Sequence, residues 1–257
     1  MHAFFNEYVA IYYICHMIQA TRGIVFHTTR YSDTSAIVKI FTEESGLLSF
    51  LVKGLYSKKS KIRSAMFGHL SLLDLIIETR EHKSLHYIRE ISVNRYSTDI
   101  QGSISRSAVI LFINELLYKC VKEEESNRPL FGFISTSLHI LDNREIPVQA
   151  FHLLFMLKLT RFLGFYPRLA KTDKGSYFDM EEGLFLDSEP MHRYFISGEP
   201  AAALEKLQLM DYPDLKDFTI GRMVRDELLD RLLDYYRLHL PEMGELKSLK
   251  VLQELLA

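Results

Sequence analysis

The segment VKGLYSKKSKIRSAM, residues 52–66, concentrates basic side chains in a chain that is slightly acidic overall. The sequence has 31 Lys+Arg and 33 Asp+Glu among 257 residues, whereas this segment has five basic residues and no acidic one. They are Lys53, Lys58, Lys59, Lys61 and Arg63. Basic side chains at this density neutralise phosphate groups, so the segment indicates a polyanionic ligand, although a solvated surface turn has the same composition.

Aromatic side chains accompany these charges. Phe50 lies just before the segment and Tyr56 lies within it, and the bases of single-stranded nucleic acids stack on such rings. Phe50 is more typical of a core residue, whereas Tyr56 fits either role. Arg30 and Lys39 add positive charge in neighbouring predicted strands. The predicted DNA-binding residues are therefore Arg30, Lys39, Lys53, Tyr56, Lys58, Lys59, Lys61 and Arg63.

Motifs for catalysis are absent from the sequence. It has no G-x-x-x-x-G-K, no G-x-G-x-x-G after a strand, no G-x-S-x-G and no H-E-x-x-H. His82, His86 and Glu90 have the four-residue spacing of a metal site on a helix. The local pattern is that of strand and turn, which favours surface residues instead. We therefore expect no enzymatic activity, no catalytic residue and no cofactor.

Two further groups of potential ligands are equally weak. Cys15 and Cys120 are far apart and match no metal or redox spacing, which fits a reducing cytoplasm. An acidic cluster in the second half lacks the alternating spacing of a calcium loop, so we interpret it as a solvated hairpin. Its members are Asp179, Glu181, Glu182 and Asp187.

The elements that must position the basic segment are short strands. Runs rich in β-branched and aromatic residues, separated by turn formers, predict five strands. They span 23–29, 34–42, 47–55, 69–79 and 85–96. Five short antiparallel strands in so little chain are typical of an OB-fold barrel, a fold that binds oligonucleotides. The basic segment connects the third and fourth of these strands.

From Ser103 onward, apolar residues recur at the three- and four-residue spacing of an amphipathic helix. Helices are predicted at 103–121, 128–141, 147–165, 219–240 and 246–256. Gly164 can end the third of them, and Pro241 stops the fourth. The segment 166–200 reads as a small hairpin insert. The expected fold is therefore α+β, a five-stranded OB-fold β-barrel followed by an all-α helical domain with this insert.

Charge divides the chain at the same place. Residues 17–100, the expected DNA-binding domain, carry 12 Lys+Arg and 8 Asp+Glu, a net charge of +4. Residues 101–257, the expected helical domain, carry 19 and 24, a net charge of −5. Residues 1–16 are either an extension outside the fold, since Met17 precedes the first strand pattern, or an amphipathic helix packed on it. No apolar run is long enough for a transmembrane helix, and we expect a cytoplasmic protein with no membrane partner.

The order of these features resembles the RecO family of bacterial recombination mediators. The segment TRGIVFHTTRYSDTSAIVKIFTEESGLLSFLVKGLYSKKSKIRSAM is similar to the N-terminal part of that family. LKLTRFLGFYP resembles its helix leading into a Gly-Phe-aromatic-Pro turn, and LLDYYRLHLPEMGELKSLKVL resembles its closing helices. Each motif is loose by itself, but their order and spacing are specific and span about 21–256. Members of this family often start near the position of Met17.

The resemblance implies an N-terminal OB-fold and a helical C-terminal domain. It also implies binding of single- and double-stranded DNA, annealing of complementary strands, and loading of RecA together with RecR. A further implied partner is the acidic, hydrophobic C-terminal tail of the single-stranded-DNA-binding protein. Lys158 and Arg161 interrupt an apolar helix and are the predicted tail-binding residues, although their stems could equally cover the core while their heads reach water.

One departure from the family is visible. Many relatives carry a four-cysteine zinc module after the Gly-Phe-aromatic-Pro turn, whereas residues 166–200 contain no cysteine. We therefore expect the insert to keep a hairpin without zinc. The alternative function is a helical adaptor whose OB-like barrel binds a protein partner rather than DNA.

Overall fold

The computed structural model describes residues 16–57, 64–80, 83–93, 103–122, 124–168 and 177–256. These residues form two compact units. Unit 1 takes its residues from 1–99 and 121–136, and unit 2 takes its residues from 100–120 and 137–257. The chain thus returns to unit 1 after it has entered unit 2.

Unit 1 is built on a five-stranded antiparallel sheet. Its strands are β1 (His16–Arg30), β2 (Ala36–Thr42), β3 (Gly46–Val52), β4 (Leu72–Arg80) and β5 (Tyr87–Val93). Their order across the sheet is β3-β2-β1-β4-β5. All five predicted strands are present, because their β-branched and aromatic residues fit a pleated, half-buried surface.

Strand β1 begins at His16, earlier than the predicted start at residue 23. Its first half pairs with β4 and its second half pairs with β2, with a register shift between Val25 and His27. The change of partner occurs at Gly23, which lies opposite both Thr42 and Leu73. The early part of β1 escaped prediction because exposed residues such as Met17 and Ile18 break the alternation of buried and exposed positions.

The core of unit 1 lies on one face of this sheet. Its buried side chains come from β1 to β4 and the connection between β3 and β4, and include Val25, Val38, Ile40, Phe50, Leu75 and Ile77. Strand β3 also meets the residue that precedes β5. The backbone N–H of Leu51 donates to His86 at 3.0 Å, and the His86 N–H donates to Ser49 at 2.9 Å. A five-stranded antiparallel sheet with this connection is typical of the OB-fold, so the predicted fold class is confirmed.

Phe50 and His86 lie side by side at this connection. Phe50 is fully buried, as expected of a core residue, and its ring centre is 6.1 Å from that of His86. The expectation that His86 is a surface residue is wrong, because the bridge to β3 carries it inward to 8% exposure. Burial lowers the pKa of His86.

Six α-helices follow in the described part of the chain. They are α1 (Ile104–Cys120), α2 (Arg128–Asp142), α3 (Phe151–Leu163), α4 (Gly198–Gln208), α5 (Arg222–His239) and α6 (Leu249–Leu255). Helix α3 ends as expected at Gly164, whose φ of 88° is left-handed. Helix α4 was not predicted. None of the described helices is both long enough and apolar enough to cross a membrane.

The first half of α2 belongs to unit 1 and covers the outer face of the sheet. Phe26 and Phe41 stack at 5.5 Å, and Phe41 lies 6.1 Å from Phe131 of α2. Arg128 at the start of the helix is 2.5 Å from the Glu44 carboxylate, in the turn between β2 and β3. These contacts explain why 121–136 groups with the sheet and not with the other helices.

A small sheet forms within the insert of unit 2. Strand β6 (Tyr177–Asp179) pairs with β7 (Leu184–Leu186) and β8 (Phe195–Ser197). The acidic cluster is not simply solvated, because Asp179 is only 5% exposed. One of its oxygens accepts the backbone N–H groups of Glu181 and Glu182 at 2.9 and 3.0 Å, and the other lies 3.2 Å from His192. Asp179 therefore shapes the β6–β7 turn.

The chain closes on helix α1. The Glu115 carboxylate accepts the backbone N–H of Lys247 at 3.0 Å, and the N–H and hydroxyl of Ser248 at 2.8 and 2.7 Å. Burial acts to raise the pKa of Glu115, but these hydrogen bonds outweigh burial and the pKa is lowered. The Leu-Lys-Ser segment thus ties the start of α6 to α1.

Candidate nucleic-acid interface

A cation–aromatic pair lies where β1 ends. The Arg30 guanidinium is 5.4 Å from the centre of the Tyr56 ring. The same guanidinium donates to the Ser32 carbonyl at 3.3 Å and to the Asp33 carbonyl at 3.2 Å. Its side chain is nevertheless 66% exposed, and Tyr56 is 40% exposed. Both groups remain accessible to a ligand while their positions are fixed.

Backbone hydrogen bonds hold the two turns of this surface together. The N–H of Tyr56 donates to the carbonyl of Thr34 at 3.1 Å, which joins the turn after β3 to the turn between β1 and β2. The turn after β3 requires Gly54, whose φ of 72° is left-handed, and it closes through Ser57 N–H to the Gly54 carbonyl at 3.0 Å. The backbone conformation is therefore fixed at the start of the basic segment.

Lys53 extends this surface toward β5. Its ammonium group is 5.9 Å from the centre of the Tyr87 ring, at the first residue of that strand. Lys53 is exposed and Tyr87 is partly buried. The β1–β2 and β4–β5 loops are the loops that bind oligonucleotides in OB-folds, and Tyr87 follows the second of them.

Sequence reasoning missed Tyr31. It lies directly after Arg30, between the first two predicted strands, and its side chain is 62% exposed. Its backbone N–H donates to the Ser35 carbonyl at 2.9 Å, which fixes the turn. A large aromatic residue in a turn otherwise made of Ser, Asp and Thr is the signal that could have revealed it. Arg30, Tyr31, Lys53 and Tyr56 are called the aromatic-basic surface below.

Lys39 lies apart from the aromatic-basic surface. It is on the face of β2 opposite the buried Val38 and Ile40, and it pairs across the sheet with His27 and Ser49. Burial, and then the positive charge of Lys39, lower the pKa of His27. The structure thus brings Arg30 and Tyr56 together, with Lys53 in the same turn as Tyr56, but places Lys39 on the face of β2 opposite the core.

Four predicted contacts, Lys58, Lys59, Lys61 and Arg63, lie outside the described residues. The described chain stops at Ser57, next to Tyr56, and resumes at Ser64. The basic segment therefore leaves the described residues next to the aromatic-basic surface. A direct role for these four side chains in binding DNA stays a prediction.

The two predicted tail-binding residues lie in unit 2, on α3. The Lys158 ammonium group is 2.5 Å from the Asp211 carboxylate and 6.0 Å from the centre of the Tyr212 ring. The Arg161 guanidinium lies 4.3 Å from the centre of the Tyr166 ring and is exposed. Both cations therefore have intramolecular partners, and an anionic ligand would have to compete with Asp211 for Lys158.

Within the described ranges, no three or more His, Cys, Asp or Glu side chains are arranged to hold a metal ion. The absence of zinc from the insert stays a prediction. The aromatic-basic surface instead combines positive charge with exposed rings, which suits a phosphate backbone with stacked bases.

Comparison with known families assigns the chain. A family model described as Recombination protein O N terminal matches residues 17–96, and one described as Recombination protein O C terminal matches residues 101–250. The chain belongs to the RecO family. The resemblance read from the sequence motifs is thereby confirmed. The aromatic-basic surface lies within the N-terminal match, and Lys158 and Arg161 lie within the C-terminal match.

Individual RecO relatives cover most of the chain. A protein of Bacteroides fragilis named DNA repair protein RecO is 41% identical over 240 residues, which is 93% of this chain and 99% of the relative. A protein of the same name from Phocaeicola vulgatus is 38% identical over 239 residues, again 93% and 99%. One from Christiangramia forsetii is 32% identical over 240 residues, with the same coverage. The chain is therefore a DNA repair protein of the RecO family.

Proposed function

We propose that this protein is a non-enzymatic recombination mediator. It binds single- and double-stranded DNA, anneals complementary strands, and works with RecR to load RecA on strands coated by the single-stranded-DNA-binding protein. It acts at the nucleoid. The Arg30–Tyr56 pair is the observation that carries the proposal, because it sets a cation and an aromatic ring side by side at an accessible loop of an OB-type sheet.

The chemistry of this surface favours a nucleic acid over a protein ligand. Stacking on an aromatic ring contributes about 1–3 kcal/mol per base and tolerates any sequence. Phosphate contacts from lysine and arginine position a strand without reading its bases. A mediator must act on whatever sequence is exposed at a gap, so this combination suits its task. Lys53 and the basic-segment residues Lys58, Lys59, Lys61 and Arg63 supply the phosphate contacts, with Arg30 at their edge and Lys39 on the other face of β2.

The uneven charge supports the same proposal. Residues 17–100 carry a net charge of +4, whereas residues 101–257 carry a net charge of −5. Positive charge concentrated near one loop attracts phosphates, and an acidic remainder limits nonspecific binding over the rest of the surface. The acidic second half of the chain is then available for protein partners, namely RecR and the tail of the single-stranded-DNA-binding protein, with Lys158 and Arg161 as the tail-binding pair.

A salt series tests the proposal. Wild type should bind a single-stranded oligonucleotide with a steep dependence on salt and little sequence preference. Changing Lys58, Lys59, Lys61 and Arg63 together to Ala should lower the log–log slope by roughly 0.7 for each lost contact, nearly three units for four contacts. Thermal melts should change little, within about 0.5 kcal/mol per substitution, since the sequence predicts these residues in a surface loop.

Two results would contradict the proposal. A wild-type protein that binds no DNA would favour the adaptor, in which the barrel binds a protein. A variant that melts normally and keeps the wild-type slope would show that the loop only solvates the surface. The matched control changes four exposed cations of unit 2 to Ala, namely Lys206, Lys216, Arg222 and Lys250.

A further inference from the structure

A second concentration of positive charge lies in the acidic half of the chain. A cleft of about 430 Å³ opens between the insert and helix α5. Three guanidinium groups line it, and Asp234 is the one carboxylate among the described residues of its lining. We call it the arginine cleft, and its other lining residues are Met180, Arg193, Tyr194, Arg231, Arg237 and Leu238.

Helix α5 supplies two of these arginines. Arg231, Asp234 and Arg237 follow one another at intervals of three residues, so they lie along one side of the helix. Asp234 is 2.9 Å from the Arg237 guanidinium and 3.8 Å from that of Arg231. One carboxylate is thus shared by two cations, and the side chains of Arg231 and Arg237 are 45% and 39% exposed. Both side chains line the cleft.

The insert supplies the third arginine together with an aromatic ring. The Arg193 guanidinium donates to the Tyr194 hydroxyl at 3.1 Å and lies 5.1 Å from the centre of that ring. This is the pairing of guanidinium and tyrosine that Arg30 and Tyr56 form in unit 1. The insert wall of the cleft therefore presents the same chemistry as the aromatic-basic surface, and the α5 wall adds two further guanidinium groups.

We propose that the arginine cleft binds the phosphate backbone of a second nucleic-acid strand. Guanidinium groups match phosphate oxygens with paired hydrogen bonds, and three of them against one carboxylate leave the cleft with a net positive charge. Apolar lining is limited to Met180 and Leu238, too little for a long hydrophobic peptide segment. The proposal rests on the proposed function, since annealing brings two strands together and a molecule with two strand sites can do so by itself. Unit 1 holds one strand and the arginine cleft holds the other.

The test uses the full chain and two non-complementary single-stranded oligonucleotides, one with a donor dye and one with an acceptor dye. Wild type should bring the two strands together and produce energy transfer. Arg231→Gln combined with Arg237→Gln should reduce this transfer and the rate of annealing by roughly tenfold, as expected when charge-assisted hydrogen bonds are lost. Binding of a single strand should change less than about twofold, because the aromatic-basic surface is intact.

Asp234→Asn is a variant for which the opposite effect on energy transfer and annealing is expected. It removes the carboxylate that competes with phosphate for both arginines, so energy transfer and annealing should increase. The change should not disturb folding, because Asp234 is half exposed. Burial, and then the negative charge of Asp234, raise the pKa of the neighbouring Asp230, so removing that charge also relieves a repulsion between two carboxylates. The control with the same loss of two charges is Arg222→Gln with Lys250→Gln, both outside the cleft.

The outcomes separate this inference from the function on which it rests. If wild type binds no single strand, the proposed function is wrong, and the second-strand site is wrong with it. If wild type binds one strand but shows no transfer, or if the cleft variants transfer and anneal like wild type, only the arginine cleft assignment is overturned. Loss of annealing in the glutamine pair and its gain in Asp234→Asn would establish the second-strand site.

Discussion

The Arg30 guanidinium lies 5.4 Å from the Tyr56 ring, which joins the end of β1 to the turn after β3. The two residues are far apart in the sequence, and both side chains are accessible to a ligand. A strand bound here would place phosphates and bases on different side chains of one surface. Charge and stacking can therefore be measured separately.

The first prediction concerns that separation. Arg30→Gln and Lys53→Gln should each lower the salt slope of single-strand binding by roughly 0.7, since each removes one phosphate contact. Tyr31→Ala and Tyr56→Ala should weaken binding by about 1–3 kcal/mol per lost base stack while the slope stays as in wild type. Fluorescence anisotropy across a salt series measures both quantities. Lys39→Gln is the informative comparison, because Lys39 lies on the other face of β2 and should change binding less than Lys53→Gln.

The second prediction concerns the tail of the single-stranded-DNA-binding protein. Asp211→Asn should strengthen tail binding by about two- to fivefold, because it removes the carboxylate that holds the Lys158 ammonium group at 2.5 Å. Asparagine still caps the turn that Asp211 begins, so the fold is preserved. Lys158→Glu with Arg161→Glu should abolish binding of a labelled tail peptide. Equal affinity of all three proteins would place the tail elsewhere.

The third prediction concerns acid stability. His152 is fully buried in α3, its ring 6.1 Å from Phe112, and neither ring nitrogen has a hydrogen-bond partner among the described residues. Burial, and then the charge of Arg225, lower its pKa to about 3. The unfolded chain takes up this proton near pH 6.5, so the contribution of His152 is complete above that pH and is lost as the pH falls toward 3.

Chemical denaturation at several pH values measures this effect. Between pH 7.5 and 5 the free energy of unfolding should fall by about 2 kcal/mol through His152 alone. His152→Leu should remove that part of the pH dependence and should be at least as stable as wild type at pH 7.5, since it buries no unsatisfied polar atom. The same substitution at the exposed His139 is the control. An unchanged pH dependence in His152→Leu would show that the ring is protonated or hydrated in the fold.

The fourth prediction concerns Gly23, where β1 exchanges β4 for β2. A Cβ there would lie 2.5 Å from Ile40 Cγ2 and 2.8 Å from Leu75 Cδ1. Gly23→Ala should therefore destabilise the protein by roughly 1–3 kcal/mol through overpacking. Gly132→Ala is the matched control, because a Cβ on that helical residue meets no atom within 4 Å. It should stabilise by about 1 kcal/mol, and thermal melts that fail to separate the two variants would contradict the packing.

Much of the fold was predictable because its signals are local. The five strands are runs rich in β-branched and aromatic residues, and Gly164 marks the end of α3. Helix α4 was not predicted, because it begins with glycine and contains three adjacent alanines, so its apolar residues show no clear helical spacing. The early half of β1 escaped because its pairing with β4, more than fifty residues away, holds exposed residues in an extended conformation.

The candidate site was predictable in composition but not in arrangement. The basic segment and Tyr56 were visible as residue types, whereas the side of the sheet that each residue occupies depends on register. Lys158 was expected to reach solvent or a partner, but its ion pair with Asp211 joins positions 53 apart in sequence. Asp179 was expected to be solvated, yet the turn that it shapes and the approach of His192 bury it. Such contacts are set by tertiary structure and leave no local signal.

The return of 121–136 to unit 1 also constrains how genes of this family can recombine. A hybrid joined near residue 100 would place a foreign Phe131 against the native Phe41, and a foreign Arg128 against the native Glu44. One crossover therefore cannot exchange either unit as an intact module. The sheet and the first half of α2 must be inherited together, so sequence changes on Phe41 and Phe131 should accumulate as matched pairs across lineages.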